Sequence, residues 1–190
     1  MTPLVQYLES HFDITAPDDL QQISGLFKTV TLKKGDYWLK TDQYCRQLSF
    51  VKSGLLRIYR SVEDKEVTQW ISAEGSFLTD LSGFLFQTPS RWNIQALTEV
   101  SLYTISQTDY QKLGTLVEKW HTLEKQFIAK CFTMLENRMF QHLSMSAEER
   151  YISFFEQHKA LFHQVPLQYI ASMLGMTPET FSRIRKKQML

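Results

Sequence analysis

The chain has 190 residues, of which 43% are hydrophobic and 22% charged, and its formal net charge is +1. These fractions are those of an ordinary globular protein, and they exclude a disordered tail and a low-complexity or collagen-like chain. Because the net charge is close to zero, any contact with nucleic acid must come from a local patch of charge.

Residues 2–27 are predicted to form two amphipathic helices, the first with Leu4, Leu8 and Phe12 at four-residue steps. This segment lacks the basic start and apolar run of a signal peptide. No stretch of the chain is apolar enough to cross a membrane, and the two cysteines form no CxxC motif. We therefore expect a protein of the reducing cytoplasm, without disulfides and without a membrane partner.

Residues 28–106 are predicted to form a β domain. Stretches rich in β-branched and aromatic residues alternate with turns at intervals of about ten residues, which favours an all-β barrel or sandwich. Gly35, Gly54 and Gly75 lie in three of the turns. The predicted strands contain, in chain order, Thr29–Leu32, Tyr37–Leu39, Leu48–Phe50, Leu56–Ile58, Val67–Ile71, Ile94–Ala96 and Val100–Leu102.

Residues 107–190 are predicted to be helical. Apolar residues between positions 113 and 127 alternate three- and four-residue steps, which is the pattern of a coiled-coil seam or of a long docked helix. Such a face would be unusual if exposed on a monomer, so it is the predicted dimer interface. Its residues are Leu113, Leu116, Trp120, Leu123 and Phe127. Ser146 and Glu149 have the spacing of a capping box that starts the next helix.

Residues 166–187 carry the pattern of a helix-turn-helix. A first helix presents an apolar face, and Gly175 occupies the position where a helix ends with a positive φ. Thr177 can cap a second helix. Because Phe181 and Ile184 lie three residues apart on that helix, we expect them to face back to the first one.

The other face of the second helix is polar and basic. Glu179, Arg183 and Lys187 lie one turn apart on a single stripe. Such a stripe offers donors to phosphates and to guanine edges in a major groove. A solvated basic helix end has the same spacing and is the structural alternative. The predicted DNA-binding residues are Thr177, Glu179, Ser182, Arg183, Arg185, Lys186 and Lys187.

The segment resembles the helix-turn-helix of the Crp/Fnr family of bacterial transcription regulators. In the β domain, KKGD at 33–36 and FVKSGLLRIY at 50–59 resemble that family's β-roll signatures. The resemblance implies an α+β fold: a jelly-roll-like β-roll flanked by helices, a long dimerisation helix and a small all-α DNA-binding domain. The implied boundaries are 1–110 for a cyclic nucleotide-binding-like sensor, 111–144 for the long helix and 145–190 for the helix-turn-helix domain.

The resemblance also implies partners and roles. In the family, the positions of Glu179 and Arg183 read bases in double-stranded DNA, the protein is a homodimer, and RNA polymerase is a further partner. Pro178 stands where the family often has an arginine, and only three residues follow Lys187, where the family tends to add a β-hairpin wing. These two departures leave an alternative, a stand-alone small-anion sensor or protein-interaction module without DNA binding.

Family members that bind cyclic nucleotides have a phosphate cassette, which implies an effector site here. The cassette's glutamate falls on Asp80 and its arginine on Ser90, while Arg91 comes one place later and is followed by the bulky Trp92. These departures predict a roll that has lost the usual cyclic-nucleotide site, with another small anion as the remaining ligand. Asp80 and Arg91 can equally form a structural ion pair. The implied effector-binding residues are Asp80, Leu81, Ser90, Arg91 and Asn93.

No catalytic constellation accompanies these features. Ser49 and Lys52 match S-x-x-K, but they lie on a strand pattern and no other element of that catalytic set follows. The chain has no P-loop and no HExxH motif. We therefore predict a non-enzymatic, homodimeric transcription regulator that needs no cofactor and for which a cyclic nucleotide is a disfavoured effector.

Overall fold

The computed structural model describes residues 2–188, which form a β-roll flanked by helices. Met189 and Leu190, two of the three residues counted after Lys187, lie outside the described residues. The strands are β1 (Lys28–Leu32), β2 (Tyr37–Leu39), β3 (Gln47–Ser53), β4 (Leu56–Val62), β5 (Lys65–Ser72), β6 (Phe77–Leu78), β7 (Asn93–Ala96) and β8 (Val100–Ser106). The helices are α1 (Pro3–Phe12), α2 (Pro17–Ser24), α3 (Leu81–Phe86), α4 (Gln107–Leu116), α5 (Trp120–Ser144), α6 (Ala147–Gln157), α7 (Leu161–Gln164), α8 (Leu167–Met173) and α9 (Pro178–Gln188).

The strands form two sheets of four strands each within the described residues, in the orders β1-β8-β3-β6 and β2-β7-β4-β5. The pairs with a described register are antiparallel: Val30 lies opposite Leu102, and Phe50 lies opposite Tyr103. Each predicted strand is present, and the α+β fold with an N-terminal β-roll is confirmed. The two-residue strand β6 was not predicted, because it is too short for alternation to show.

The chain divides into two compact units. One contains Met1–Ile58 and Ile71–Lys130, and the other contains Tyr59–Trp70 and Cys131–Leu190. The second unit therefore consists of the outer part of the β4–β5 hairpin, the second half of α5 and the helices that follow. The first unit contains the rest of the β-roll, the N-terminal helices and the first turns of α5.

The core of the first unit includes most of the residues predicted to form the dimer seam. Leu113, Trp120 and Phe127 are at most 3% exposed, and the Phe12 ring lies 5.2 Å from that of Trp120 and 4.5 Å from that of Phe127. The prediction that these three residues form an exposed seam is wrong. They are buried inside one chain, by α1 among other elements.

The seam pattern also crosses a break between two helices. Helix α4 ends at Leu116, Val117 is extended, and α5 begins at Trp120. Leu116 is exposed and Leu123 is half-buried. The 3-4-3-4 spacing therefore runs across a turn between two helices. It reflects burial of these residues within one chain, not a continuous coiled-coil face.

The second unit has its own aromatic core. The Tyr151 ring of α6 lies 5.7 Å from that of Phe162 and 5.2 Å from that of Phe181. Helix α6 begins with the predicted capping box: the Ser146 hydroxyl accepts a hydrogen bond from the Glu149 N–H, and the Glu149 carboxylate accepts one from the Ser146 N–H. The two ring contacts hold α6 against α7 and α9.

Candidate nucleic-acid interface

Helices α8 and α9 are joined by a tight turn at Gly175. Gly175 has φ of +69°, and the turn closes with hydrogen bonds from the Gly175 N–H to the Ser172 carbonyl and from the Met176 N–H to the Ala171 carbonyl, both 3.0 Å. Only glycine adopts this φ without strain. Thr177 then caps α9, since its hydroxyl accepts a 3.2 Å hydrogen bond from the Thr180 N–H. The helix boundaries and the turn predicted for this segment are therefore present.

One face of α9 is buried and the other is in solvent. Phe181 is 2% exposed and Ile184 7% exposed. Arg185 is half-buried. The other predicted DNA-binding residues are all exposed, and they are Thr177, Glu179, Ser182, Arg183, Lys186 and Lys187. The structure thus gathers the predicted residues on one helix, mostly on its solvent face.

The charges on that face differ in what they contact. The backbone N–H of Glu179 and the Thr177 hydroxyl hold the pKa of the Glu179 carboxyl below its ordinary value, so it is ionised at neutral pH. Arg183 takes part in no ion pair between described residues. Its guanidinium is therefore available to a ligand.

Lys187 is already paired. Its ammonium lies 2.9 Å from both carboxylate oxygens of Glu148, which also accepts a 2.8 Å hydrogen bond from the Gln188 amide. The Lys187 hydrogen bond is the main reason why the pKa of Glu148 is lowered. Sequence reasoning missed Glu148, because it belongs to α6 and only the fold brings it to the end of α9.

A second arginine outside α9 supports the turn. Arg150 of α6 donates to the carbonyl oxygens of Leu174 at 3.0 Å and Met145 at 2.6 Å. The Leu174 carbonyl is at the C-terminal end of α8, where a cation is favoured by the helix dipole. Arg150 therefore fixes the turn before α9, a role that its position in the sequence did not indicate.

The implied effector residues are occupied by contacts within the first unit. Asp80 is 7% exposed and accepts a 3.3 Å hydrogen bond from the Gly83 N–H as the N-cap of α3, whose first residue is Leu81. The Ser90 hydroxyl accepts a 3.0 Å hydrogen bond from the Trp92 N–H. Both side chains thus stabilise local backbone.

The two other implied effector residues are similarly placed. Arg91 is exposed, and its guanidinium lies 5.6 Å from the centre of the Trp92 ring. The Asn93 side-chain oxygen accepts a 3.1 Å hydrogen bond from the Thr41 N–H. The alternative of a structural ion pair is not realised, because no ion pair between described residues joins Asp80 to Arg91.

An exposed apolar surface lies on the second half of α5. We call it the α5 stripe: Phe132, Leu135, Met139 and Leu143, at steps of three and four residues, with exposures of 57% to 79%. Met134 and Phe140, on neighbouring faces, are also mostly exposed. Large apolar side chains this exposed are unusual on a monomer.

The described part of the chain contains neither a metal site nor a membrane-spanning helix. Its acidic, histidine and cysteine side chains form no group that could hold a metal ion. None of its helices combines the length and apolar character needed to cross a bilayer.

Comparison with known proteins identifies the β domain. Residues 29–115 match the cyclic nucleotide-binding domain family. Among solved structures, FixK2 from Bradyrhizobium japonicum is 19% identical and has a TM-score of 0.71, and the alignment covers 85% of this chain and 83% of FixK2. The c-di-GMP-responsive global regulator CLP of Xanthomonas campestris is 14% identical with a TM-score of 0.65, covering 90% of each chain. A search of curated protein sequences finds no match.

Part of the chain also resembles a different kind of protein. The cAMP-bound regulatory domain of Toxoplasma gondii PKA is 14% identical with a TM-score of 0.53, and the match covers 58% of this chain and 43% of that one. At such identities the likeness is one of fold. Residues 29–115 therefore match the cyclic nucleotide-binding domain family, and the chain shares its fold with FixK2 and CLP over most of their length.

Proposed function

We propose that this protein is a homodimeric, DNA-binding transcription regulator whose β-roll has lost the usual cyclic-nucleotide site. The observation that carries the proposal is the arrangement of α9. Phe181 and Ile184 fix one face of the helix within the second unit, while Glu179, Ser182 and Arg183 stand in solvent on the opposite face. A rigidly seated helix with an exposed polar and cationic face is what a major groove requires.

Arg183 is the proposed base-reading residue. Its guanidinium is exposed and has no described carboxylate partner. It can therefore donate two hydrogen bonds to the O6 and N7 atoms of a guanine. Glu179, one turn earlier and ionised, can accept from the amino group of a cytosine.

Lys186 is the proposed phosphate contact. It is exposed beyond Arg183, where the helix would pass a phosphate strand. Arg185 is half-buried, and Lys187 is neutralised by Glu148. Helix α9 therefore offers fewer free cations to DNA phosphates than the sequence alone indicates.

The α5 stripe is the proposed dimer interface, in place of the residues between 113 and 127. Pairing two copies of α5 would bury Phe132, Leu135, Met139 and Leu143 against their equivalents, in the manner of a short coiled coil. A dimer places two α9 helices on one duplex, with half-sites about 34 Å apart.

The proposed effector is not a cyclic nucleotide bound in the usual way. Asp80 is used to cap α3, Ser90 is bonded to the Trp92 backbone, and Arg91 lies on the outside against Trp92. None of these three positions therefore provides an arginine to bind a phosphate inside the roll. The proposed regulator needs no cofactor, catalyses no reaction, and acts in the cytoplasm with RNA polymerase as a further partner.

A second function has two observations in its favour. Glu148 neutralises Lys187, and Pro178 has no side-chain donor at the start of α9. Both reduce the affinity of this face for DNA, and they favour a small-anion sensor or a protein-interaction module without DNA binding.

The test is selection of binding sites from random duplex DNA by wild type, Arg183→Ala and a control, Lys33→Ala, which removes a cation from an exposed turn of the β-roll. We expect wild type and control to enrich the same sequence. Arg183→Ala should lose about 1–3 kcal/mol on that site and relax the preference at one base pair. Failure of the wild type to enrich any sequence would reject the regulator and leave the sensor or interaction module.

A further inference from the structure

The outer part of the β4–β5 hairpin is bonded to α8, the helix that precedes the turn at Gly175. The Thr68 N–H of β5 donates a 2.9 Å hydrogen bond to the Ser172 hydroxyl. Thr68 is 2% exposed and Ser172 is half-buried, so this contact is partly shielded from water. These residues are 104 positions apart in the chain, and both belong to the second unit.

Arg138 of α5 strengthens the same connection. Its guanidinium lies 4.9 Å from the centre of the Trp70 ring and donates a 3.1 Å hydrogen bond to the Met173 carbonyl oxygen. Trp70 is on the hairpin and Met173 is at the C-terminal end of α8, so one side chain bridges the two elements. A cation is favoured at a helix C-terminus and over an indole face.

The bridge depends strongly on geometry. Burial lowers the pKa of Arg138, and none of the ion pairs between described residues includes it. Its charge is thus compensated by a ring face and a carbonyl rather than by a carboxylate. Both partners act at short range and in one orientation, so a small shift of the hairpin breaks the contact.

The orientation of helix α9 depends on that of α8. The two helices are tied at the Gly175 turn, whose Met176 N–H bonds to the Ala171 carbonyl, and by Phe181, which is buried in the same core. A change in the orientation of α8 would therefore also change the direction in which the exposed face of α9 points.

We propose that the β4–β5 hairpin is a latch that holds α8 and α9 in one orientation through Arg138, Trp70 and the Thr68–Ser172 hydrogen bond. The consequence for DNA rests on the proposed function, whereas the latch itself does not.

The test is amide hydrogen exchange of the full chain without DNA. Arg138→Gln and Trp70→Leu should each speed exchange within residues 167–184 by about two- to tenfold. The double variant should not exceed Arg138→Gln by more than the measurement error, because that substitution already removes the contact with the Trp70 ring. Trp70→Phe keeps a ring face and should restore most of the protection.

Two controls separate the latch from general destabilisation. Val67→Thr changes an exposed residue of the same hairpin and should leave exchange in α8 and α9 unchanged. Exchange in β3 and β8 should be unchanged in all variants. If a variant at Arg138 does not fold, Ser172→Ala removes the other bond and should again speed exchange in α8. Unchanged exchange at 167–184, or strictly additive effects, would overturn the latch.

DNA binding by the same variants distinguishes the two proposals. If the latch variants exchange faster in α8 and α9 but the wild type selects no DNA sequence, the latch is supported and the regulator is rejected. Sequence-selective binding by the wild type, with exchange unaffected by all latch variants, would support the regulator and reject the latch. If both hold, Arg138→Gln should weaken specific binding.

Discussion

At Gly54, between β3 and β4, the backbone has φ of +91° and a Cβ atom would lie 2.3 Å from the Glu99 carbonyl oxygen. Gly35 has nearly the same φ, +92°, but nothing within 4 Å of its Cβ position. We expect Gly35→Ala to cost about 1 kcal/mol of unfolding free energy from backbone strain alone, and Gly54→Ala to cost at least about 3 kcal/mol. Urea unfolding of both variants measures the difference, and equal losses would contradict the crowding at Glu99.

Glu148 sets how much of the charge on α9 is free. Glu148→Gln should release Lys187, and the slope of the logarithm of DNA affinity against the logarithm of salt should steepen by about one unit. Glu156→Gln removes the same charge elsewhere on α6 and should leave the slope unchanged. If both substitutions change the slope equally, Lys187 is not the released group.

The same pair has a defined pH dependence. Because the pKa of Glu148 is lowered, the pair is complete above the ordinary pKa of a glutamate and is lost only as the pH falls through the lowered value. At neutral pH, protonation of Glu148 therefore does not release Lys187.

Helix α5 gives the sharpest test of assembly. Leu135→Glu places a charge in the α5 stripe and should convert the dimer to monomer at micromolar concentration, measured by size-exclusion with light scattering. Gln141→Glu adds the same charge on the opposite face of the helix and should leave the dimer intact. A monomeric wild type would contradict the interface.

A charge at Trp120 should act differently. Trp120 is 2% exposed, between the rings of Phe12 and Tyr110. Trp120→Glu should therefore unfold the first unit rather than dissociate a folded monomer, because a buried carboxylate has no partner there. Circular dichroism separates unfolding from dissociation.

Helices α4 and α5 carry both a correct and a misleading sequence signal. Alternation and turn residues are sufficient to predict every strand except the two-residue β6, and the capping-box spacing predicts the start of α6, because those signals are local. The apolar spacing between Leu113 and Phe127 correctly indicates buried residues. It does not indicate whether the surface that buries them belongs to the same chain or to a second copy. Phe12 of α1 provides part of that cover, and nothing in the local pattern of α4 or α5 indicates it.

The candidate site likewise has features that the sequence predicts and features that it does not. The exposed face of α9 and its buried Phe181 follow from helical periodicity, so the sequence predicted them. Glu148 and Arg138 act on α8 and α9 from other elements, and their contacts depend on pairings across 39 and 35 positions of the chain. Such pairings carry no local signal.

At the scale of the whole molecule, the β-roll keeps the fold of a cyclic nucleotide-binding domain while its implied ligand side chains make local contacts. We expect calorimetry with cyclic AMP and cyclic GMP to detect nothing tighter than about 100 μM, equivalent to about −5.5 kcal/mol. Sub-micromolar binding that is lost in Arg91→Ala and retained in the control Arg46→Ala would contradict this expectation.

The position of β8 in its sheet has a consequence for how the protein is made. β8 lies between β1 and β3, with Lys28 opposite Thr104 and Gln47 opposite Ser106, yet it is the last strand of the roll to be synthesised. A nascent chain that has not reached residue 106 therefore holds two strands whose shared neighbour does not yet exist. Such pairings close slowly, and until then both strand edges are open to other chains. Translation pauses before β8 thus lengthen the interval of greatest aggregation risk, which ends only when β8 is free to pair with both neighbours.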